Sequence, residues 1–386
     1  MQRVAVVGVG VTKFGKHEKT CAELFAEAAL DAFQDSGLGP RDVQGLYVGN
    51  VVGEAGERQL HMGPQMASAL GIPAVPATRF ETACASSHAA FRHALHEIAA
   101  GYADVLLVGG AERVLTMSTE RSTEVFAYAS DAVFEQPAGL TFPGVFALIA
   151  RAHMEKYGTT EEQMAQVAVK NHRHGVLNEK AQFRKAITVE QVMKSARVAD
   201  PLKLYDCCPF SDGAAAVLLA SETVARRTRR PIWVLGSAQG GDAMCLHDKQ
   251  DLSRALATER AAQGAYRQAR LSPADVDVVE LHDCFTIAEI LATEGLGLCE
   301  AGTGGRAAEK GETSLGGRIP VNPSGGLKAK GHPIGATGAA QIAEVTTQLR
   351  GEAGPRQVEG ARVGLTHTLG GNTATVLVSL FGAEPR

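Results

Sequence analysis

A short segment of this chain occurs twice. Leu38-Gly39-Pro40-Arg41-Asp42-Val43 returns as Leu271-Ser272-Pro273-Ala274-Asp275-Val276, an offset of 233 residues. Each copy follows an apolar pattern of helical period and precedes an apolar strand, Leu46-Tyr47-Val48 in the first and Val278-Val279-Glu280-Leu281 in the second. The opening strand has its own echo in Pro231 to Gly236. The small-residue helix Gly335 to Leu349, with the strand Arg362 to Thr366, mirrors the helix after Cys84 and the strand Val105–Val108. A duplication on this scale predicts an α/β chain of two βαβ-type halves, 1–230 and 231–386. Residues from about 111 to 204 form an insertion within the first half, with helices expected over Gly144–Tyr157 and Glu161–His172.

Several function classes drop out early. A net charge of −4, aromatics at 5 % and the lack of a basic stretch interleaved with aromatics argue against a nucleic-acid binder. Seven cysteines without a CxxC spacing indicate neither a disulfide framework nor a thiolate zinc site. No signal peptide precedes the first strand and no apolar run reaches the roughly 18 residues of a membrane span, so a soluble, cytoplasmic protein is expected. Gly8 and Gly10 are out of register with Gly15 for a dinucleotide-binding turn. His172-Arg173-His174 lacks a further ligand at a telling distance and reads as a solvated turn rather than a metal pair. The basic run Arg226 to Arg230 reads first as a surface connector and second as a contact for substrate phosphates.

The chemistry gathers at predicted strand ends and helix starts, where open α/β sheets place their sites. Cys84 lies between the strand-like Ala77–Phe80 and a helix pattern carried by Ala89, Ala90, Phe91, Leu95 and Ile98. A thiol at the positive end of a helix is expected to ionise below the free value of about 8.5. In the second half, His282-Asp283-Cys284-Phe285 opens a helix, Asn322-Pro323-Ser324-Gly325-Gly326 forms a tight glycine loop, and His332 stands before a helix at the position matching Cys84. His367 and Thr368 end a strand that runs into Gly370-Gly371. A nucleophile, a base and amide donors for a thioester oxyanion are thus supplied by Cys84, His332 and the Gly370–Gly371 amides, and Cys284 is the remaining candidate for proton transfer to carbon.

These motifs together (ETACASS around Cys84, HDCF at 282–285, PVNPSGG at 320–326 and GHPIGATG at 331–338) resemble the thiolases over nearly the whole chain. The likeness is closest to the sterol-carrier-protein type and the archaeal acetoacetyl-CoA thiolases. It implies the thiolase fold, duplicated halves in a five-layered αβαβα core. It also implies a ping-pong acyl transfer that makes or cleaves the Cα–Cβ bond of a 3-oxoacyl-CoA. By resemblance Cys84 is acylated, His332 activates it, and His282, where most thiolases have asparagine, shares an oxyanion hole with His332. The Cys84 and Gly370 amides form the other hole, with Gly371, Asn322, Gly325, Gly326 and Thr368 counted among the groups around oxyanion and substrate. The resemblance calls for no metal or redox cofactor, coenzyme A being a substrate, and for a place in lipid metabolism. It implies a dimer or dimer of dimers and a small zinc-ribbon/OB-fold (DUF35-type) partner.

The chain departs from the family at Thr368, where most thiolases carry a second catalytic cysteine and this branch usually shows asparagine after the histidine. Cys284 then takes that cysteine's role, with His367 beside it among the catalytic groups. A threonine hydroxyl is too weak an acid for carbon proton transfer, so Thr368 is expected to orient His367 or to bond substrate. Two other readings share the fold: a carbon–carbon lyase, and a non-catalytic acyl-CoA-binding subunit. The intact Cys84 and His332 argue against both.

Overall fold

The computed structural model describes residues 2–385; Met1 and Arg386, the outermost residues of the two expected halves, lie outside it. In the first half, strand β1 (Val4–Val11) leads to helix α1 (Cys21–Ser36), β2 (Gly45–Gly49), α2 (Met62–Ala69), β3 (Ala77–Phe80), α3 (Ser86–Ala99) and β4 (Val105–Glu112). The insertion supplies α4 (Phe142–Tyr157) and α5 (Glu161–Val176), and β5 (Gly213–Ser221) completes this half. The second half holds β6 (Ile232–Gly241), α6 (Leu256–Ala269), β7 (Val278–Glu280), α7 (Thr286–Gly295), α8 (Thr337–Leu349), β8 (Val363–Gly370) and β9 (Thr375–Gly382).

The strands run β3-β2-β4-β5-β1-β6-β9-β8-β7. Each half contributes the same order read outward from β1 or β6, and the isolated parallel bridge Val279–Val321 stands where β3 stands in the first half. The halves join through the short antiparallel contact of Ala5 with Trp233 and Val6 with Ile232. Side-chain alternation along the strands produces the layering. On β1 and β4, Ala5, Val7, Val105 and Leu107 face α1 and α2, while Val4, Val6, Leu106 and Val108 face α3 and α8. Ile232, Val278 and Phe381 of the second half close on the same two helices, and Leu365, Val376 and Leu380 turn outward to α6 and α7. Five layers result, with α8 buried and α3 half-buried in the middle.

The local expectations hold where their cause is local. Thr20 caps α1 through a capping box, its side chain accepting from the Glu23 amide. The repeated segments form matching 3-10 turns, in which the Gly39 and Ser272 amides each donate to the Asp two positions past the proline, at 2.7 Å. Gly8 and Gly10 serve helix packing: a Cβ there would meet the Ala32 and Ala28 carbonyls of α1 at 2.2 and 2.0 Å. The expected turn at 172–174 is wrong. Both histidines are buried on α5, and the His174 ring bonds the Asn322 carbonyl and accepts from the Leu315 amide, so tertiary packing decides a place that local polarity assigned to solvent. Arg226 pairs with Glu222 and Arg230 with Glu352. They follow the end of β5 that pairs with the start of β4, opposite to Cys84, which removes the phosphate-contact reading. Among the described residues no helix is long and apolar enough to cross a membrane.

Candidate active site

The pair β2 and β4 runs opposite to the pair β7 and β8 across the sheet, yet the segments that leave β3, β7 and β8 converge, bringing Cys84 to His282 and Thr82 to Gly370, and the middle helices α3 and α8 begin there. Cys84 precedes α3 by two residues, after Ala83, which is held at a φ of +49°. A non-glycine residue in that region is strained, and here the strain lies next to the thiol. The turn is fixed by Ser86, whose hydroxyl donates to the Ala83 carbonyl at 2.6 Å and accepts from the Thr82 amide at 3.0 Å.

Cys84 Sγ and one ring nitrogen each of His282 and His332 lie within 4.8 Å of one another. The two imidazoles meet edge to face with centroids 5.0 Å apart. The His332 amide donates to Ser211 Oγ at 2.8 Å, and its Nδ1 contacts Thr337 Oγ1 at 2.7 Å. Both His282 nitrogens are buried without a hydrogen-bond partner, a costly arrangement that suits groups waiting for a substrate oxygen. Burial holds His332 at about 3 and His282 well below the usual imidazole range, so both rings are neutral at pH 7.

The thiol departs from the expectation of a lowered pKa. Burial pushes Cys84 up to about 12, against the pull of the Gly371 and Cys84 backbone N–H groups. Desolvation outweighs the helix start, so the resting pair is thiol and neutral imidazole. The amide brought to the sulfur is that of Gly371, at φ +62°, whereas Gly370 is packed on the Thr82 carbonyl, 2.2 Å from where a Cβ would stand.

Cys284 is buried, and its carbonyl accepts from the Cys208 amide at 2.9 Å. Its thiol is raised well above the ordinary range by burial, with Cys208 and Cys84 among the neighbours that add to this. Cys208, which sequence reasoning passed over, therefore belongs to the same thiol cluster. His367 supports the site from the outer face of β8. Its Nδ1 accepts from the His282 amide at 3.4 Å and its Nε2 contacts Thr258 Oγ1 at 3.0 Å.

The glycine loop also acts from behind. Asn322 accepts from the Leu281 amide and donates to Glu289, while Leu327 and Lys328 donate their amides to Asp283 at 2.7 and 3.3 Å. Gly326 leaves room for that carboxyl group, since a Cβ would sit 2.4 Å from Asp283 Oδ2. Gly325 instead admits Gly175 of α5, whose Cα would lie 2.7 Å from a Cβ. Asn322, Gly325 and Gly326 thus shape the turn that carries His282 and Cys284 and do not face the thiol. Lys170 and Asn171 of α5 complete this support, bonding Glu289 at 2.5 and 2.8 Å, with Asn171 also on Asp283 at 2.7 Å. Glu112 plays the matching part beneath His332, accepting from the Val51, Val52 and Gly335 amides.

Thr368 is turned away from His367 and is buried among partners of its own. It projects from the opposite face of β8, donates to Gln341 Oε1 at 2.5 Å and contacts His88 Nδ1 at 2.9 Å. His88 continues to Ser379 Oγ at 2.8 Å. The site therefore offers a nucleophile, a neutral base, a donor pair and a separate buried thiol, which is the equipment for acyl transfer through a thioester. A second group close enough to share an ion, Cys245, His247 and Asp248, lies on a more exposed turn, and we assign a metal to neither group.

Comparison with known proteins agrees with this chemistry. The family model for the thiolase N-terminal domain matches residues 4–223, and that for a thiolase C-terminal domain-like unit matches residues 238–383. The chain is 48 % identical to an acetyl-CoA acetyltransferase of Methanothermobacter thermautotrophicus, over 99 % of this chain and 100 % of that protein. It is 37 % identical to sterol carrier protein 2 of Bos taurus, over 98 % of this chain and 72 % of that protein. The solved structure of an Ltp2-ChsH2(DUF35) aldolase superposes with a TM-score of 0.86 at 28 % identity, covering 100 % of this chain and 98 % of that one.

Proposed function

The chain belongs to the thiolase family and is an acyltransferase, and we propose that it makes or cleaves the Cα–Cβ bond of a 3-oxoacyl-CoA, acetoacetyl-CoA foremost, through an acyl group on Cys84. The observation that carries this reading is the triangle of Cys84, His282 and His332. In the cleavage direction His332 Nε2 takes the Cys84 proton as the sulfur attacks the 3-oxo carbon. The Cα–Cβ bond breaks and its electron pair stays on the acetyl-CoA enolate. His332, now carrying a proton at Nε2, and His282 both donate to the enolate oxygen. Cys284 gives its proton to carbon and becomes a thiolate. Incoming CoA returns a proton to Cys284 and attacks the acyl thioester, and Cys84 leaves and recovers its proton from His332. The Gly371 amide beside Cys84 supports a donor for the acyl oxygen.

The aldolase neighbour shows how near a lyase stands in fold. A lyase has no use for a thiol with its own base, and Cys84 with His332 supports the transferase. Thiolysis of acetoacetyl-CoA by CoA tests the reading: turnover by the native chain and none by Cys84→Ala or His332→Ala support it, and full turnover by Cys84→Ala contradicts it.

The DUF35 protein named with that solved relative supports a partner of the same kind, and the family resemblance supports a homo-oligomer in cytoplasmic lipid metabolism. A purified chain whose KM for CoA is unchanged on adding such a protein counts against the partner.

A further inference from the structure

The turn 371–374 joins β8 to β9, and its first residue supplies the backbone N–H that reaches the Cys84 sulfur. The backbone of this turn is left-handed twice, with Gly371 at a φ of +62° and Thr373 at +70°. A β-branched residue is rarely found there, and such strain persists only where the surroundings over-determine it. Asn372, between the two, is fully buried. Its Nδ2 donates to the Met244 carbonyl, and the Ala374 carbonyl accepts from the Asp242 amide at 3.0 Å. Thr373 is therefore held from both sides against the segment that follows β6. That segment is itself braced. The Lys249 side chain, 3 % exposed, pairs with Asp242 at 3.1 Å and donates to the Ala243 carbonyl at 2.8 Å. The buried Glu135 of the insertion accepts from the Leu246 amide at 2.7 Å. Asn372 Oδ1, by contrast, is buried without a donor. An unpaired buried acceptor lowers stability, so the stability of the turn does not explain this side chain. What it provides is one bond, placed one residue from the amide at the thiol.

We propose that Asn372 is a positioning residue for the acyl-oxygen donor: its bond to Met244 sets where the Gly371 amide stands when negative charge develops on the thioester at Cys84. This rests on the reading of Cys84 as the acylated group. A donor of this kind acts only at short range, about 2.7–3.1 Å from the developing charge, so a turn that relaxes its strain weakens it. His282 and His332 are carried by other segments, before α7 and α8, and the enolate donors do not depend on this turn.

The test uses the full chain and two variants of near-equal size. Asn372→Leu removes the donor, and Asn372→Asp puts an oxygen in its place. Acylation of Cys84 by acetyl-CoA is followed by rapid-quench intact mass, and alkylation by iodoacetamide is followed at the Cys84 peptide. The carbonyl stretch of a 13C-labelled acetyl group on Cys84 is read by difference infrared spectroscopy. Alkylation builds no oxyanion and reads the thiol alone. Both variants are expected to acylate at least about tenfold more slowly than the native chain and to alkylate within about twofold of it. Their carbonyl stretch is expected to move up toward that of a free thioester. Unchanged acylation and an unmoved stretch in the folded variants overturn the proposal, while the native adduct leaves the reading of Cys84 standing. Equal slowing of acylation and alkylation shows a disturbed thiol and overturns it too. If neither variant folds, Asn372 is structural and the proposal is wrong. A native chain that forms no adduct removes the reading of Cys84 and the proposal with it.

Discussion

His332 Nδ1 lies 2.7 Å from Thr337 Oγ1, and that hydroxyl donates its only proton to the Pro333 carbonyl at 3.0 Å. Thr337 must therefore accept from His332, which puts the ring proton on Nδ1 and leaves Nε2 bare for Cys84. The first residue of α8 thus sets the tautomer of the base.

Thr337→Val keeps the volume and removes the acceptor. It is expected to lower kcat for thiolysis by about tenfold or more, with KM little changed, because a mis-set base affects the chemical step. Thr337→Ser is expected to restore most of the rate. Equal kcat in the valine variant would show that another group fixes the tautomer.

Cys284→Ala divides the mechanism. The variant is expected to form the Cys84 adduct from acetyl-CoA and to exchange methyl hydrogens at least about a hundredfold more slowly than the native chain. Mass spectrometry and NMR on the same samples check both parts. Loss of the adduct as well would assign Cys284 to the first half-reaction.

Thr368→Val is a stability variant. His88 and Gln341 lose a shared buried partner, which costs about 1–3 kcal/mol. The melting temperature is expected to fall, while the Cys84 acylation rate stays within about twofold. A selective loss of activity at unchanged stability would return Thr368 to the site.

Acid is expected to destabilise the chain from about pH 6.5 downward. Burial holds His88, His174, His332 and His367 at about 3, His172 at about 4 and His282 well below 6.5. The unfolded chain binds protons there first, so this contribution is present above the unfolded value and is lost as pH falls below it. Glu112 and Asp283, raised to about 7 mainly by burial, act oppositely: their contribution is fullest in acid and lost as pH rises through about 7. His96 is lowered by burial and Glu280 raised by it as well, so seven histidines outweigh three carboxyl groups. Melting temperatures measured from about pH 7 to 5 are expected to decline, and a rise would contradict the burial of these rings.

What was legible in the sequence depended on how far each cause reaches along the chain. The Thr20 cap, the repeated turns and the helix after Cys84 are set by neighbours within a few residues, and they appear as read. The fold and its family were legible from the duplication and the motif set. The support beneath the site was not, because Lys170 meets Glu289, and Glu112 meets the Gly335 amide, across more than a hundred residues. His172 and His174 misled because a polar run looks solvated until a second half packs on it. Thr368 carried a usable signal that went unread: strand alternation puts it on the face opposite His367. The elevated Cys84 thiol follows from burial, which no spacing displays.

The most direct measurement is intact-mass spectrometry of the chain incubated with acetyl-CoA, acetoacetyl-CoA and bulkier acyl-CoAs, beside Cys84→Ala. A stoichiometric acyl adduct on the native chain, absent from Cys84→Ala and removed by added CoA, is the result expected of a ping-pong thiolase. A folded native chain that forms no adduct with any of these thioesters, or an adduct that survives in Cys84→Ala, would contradict the account.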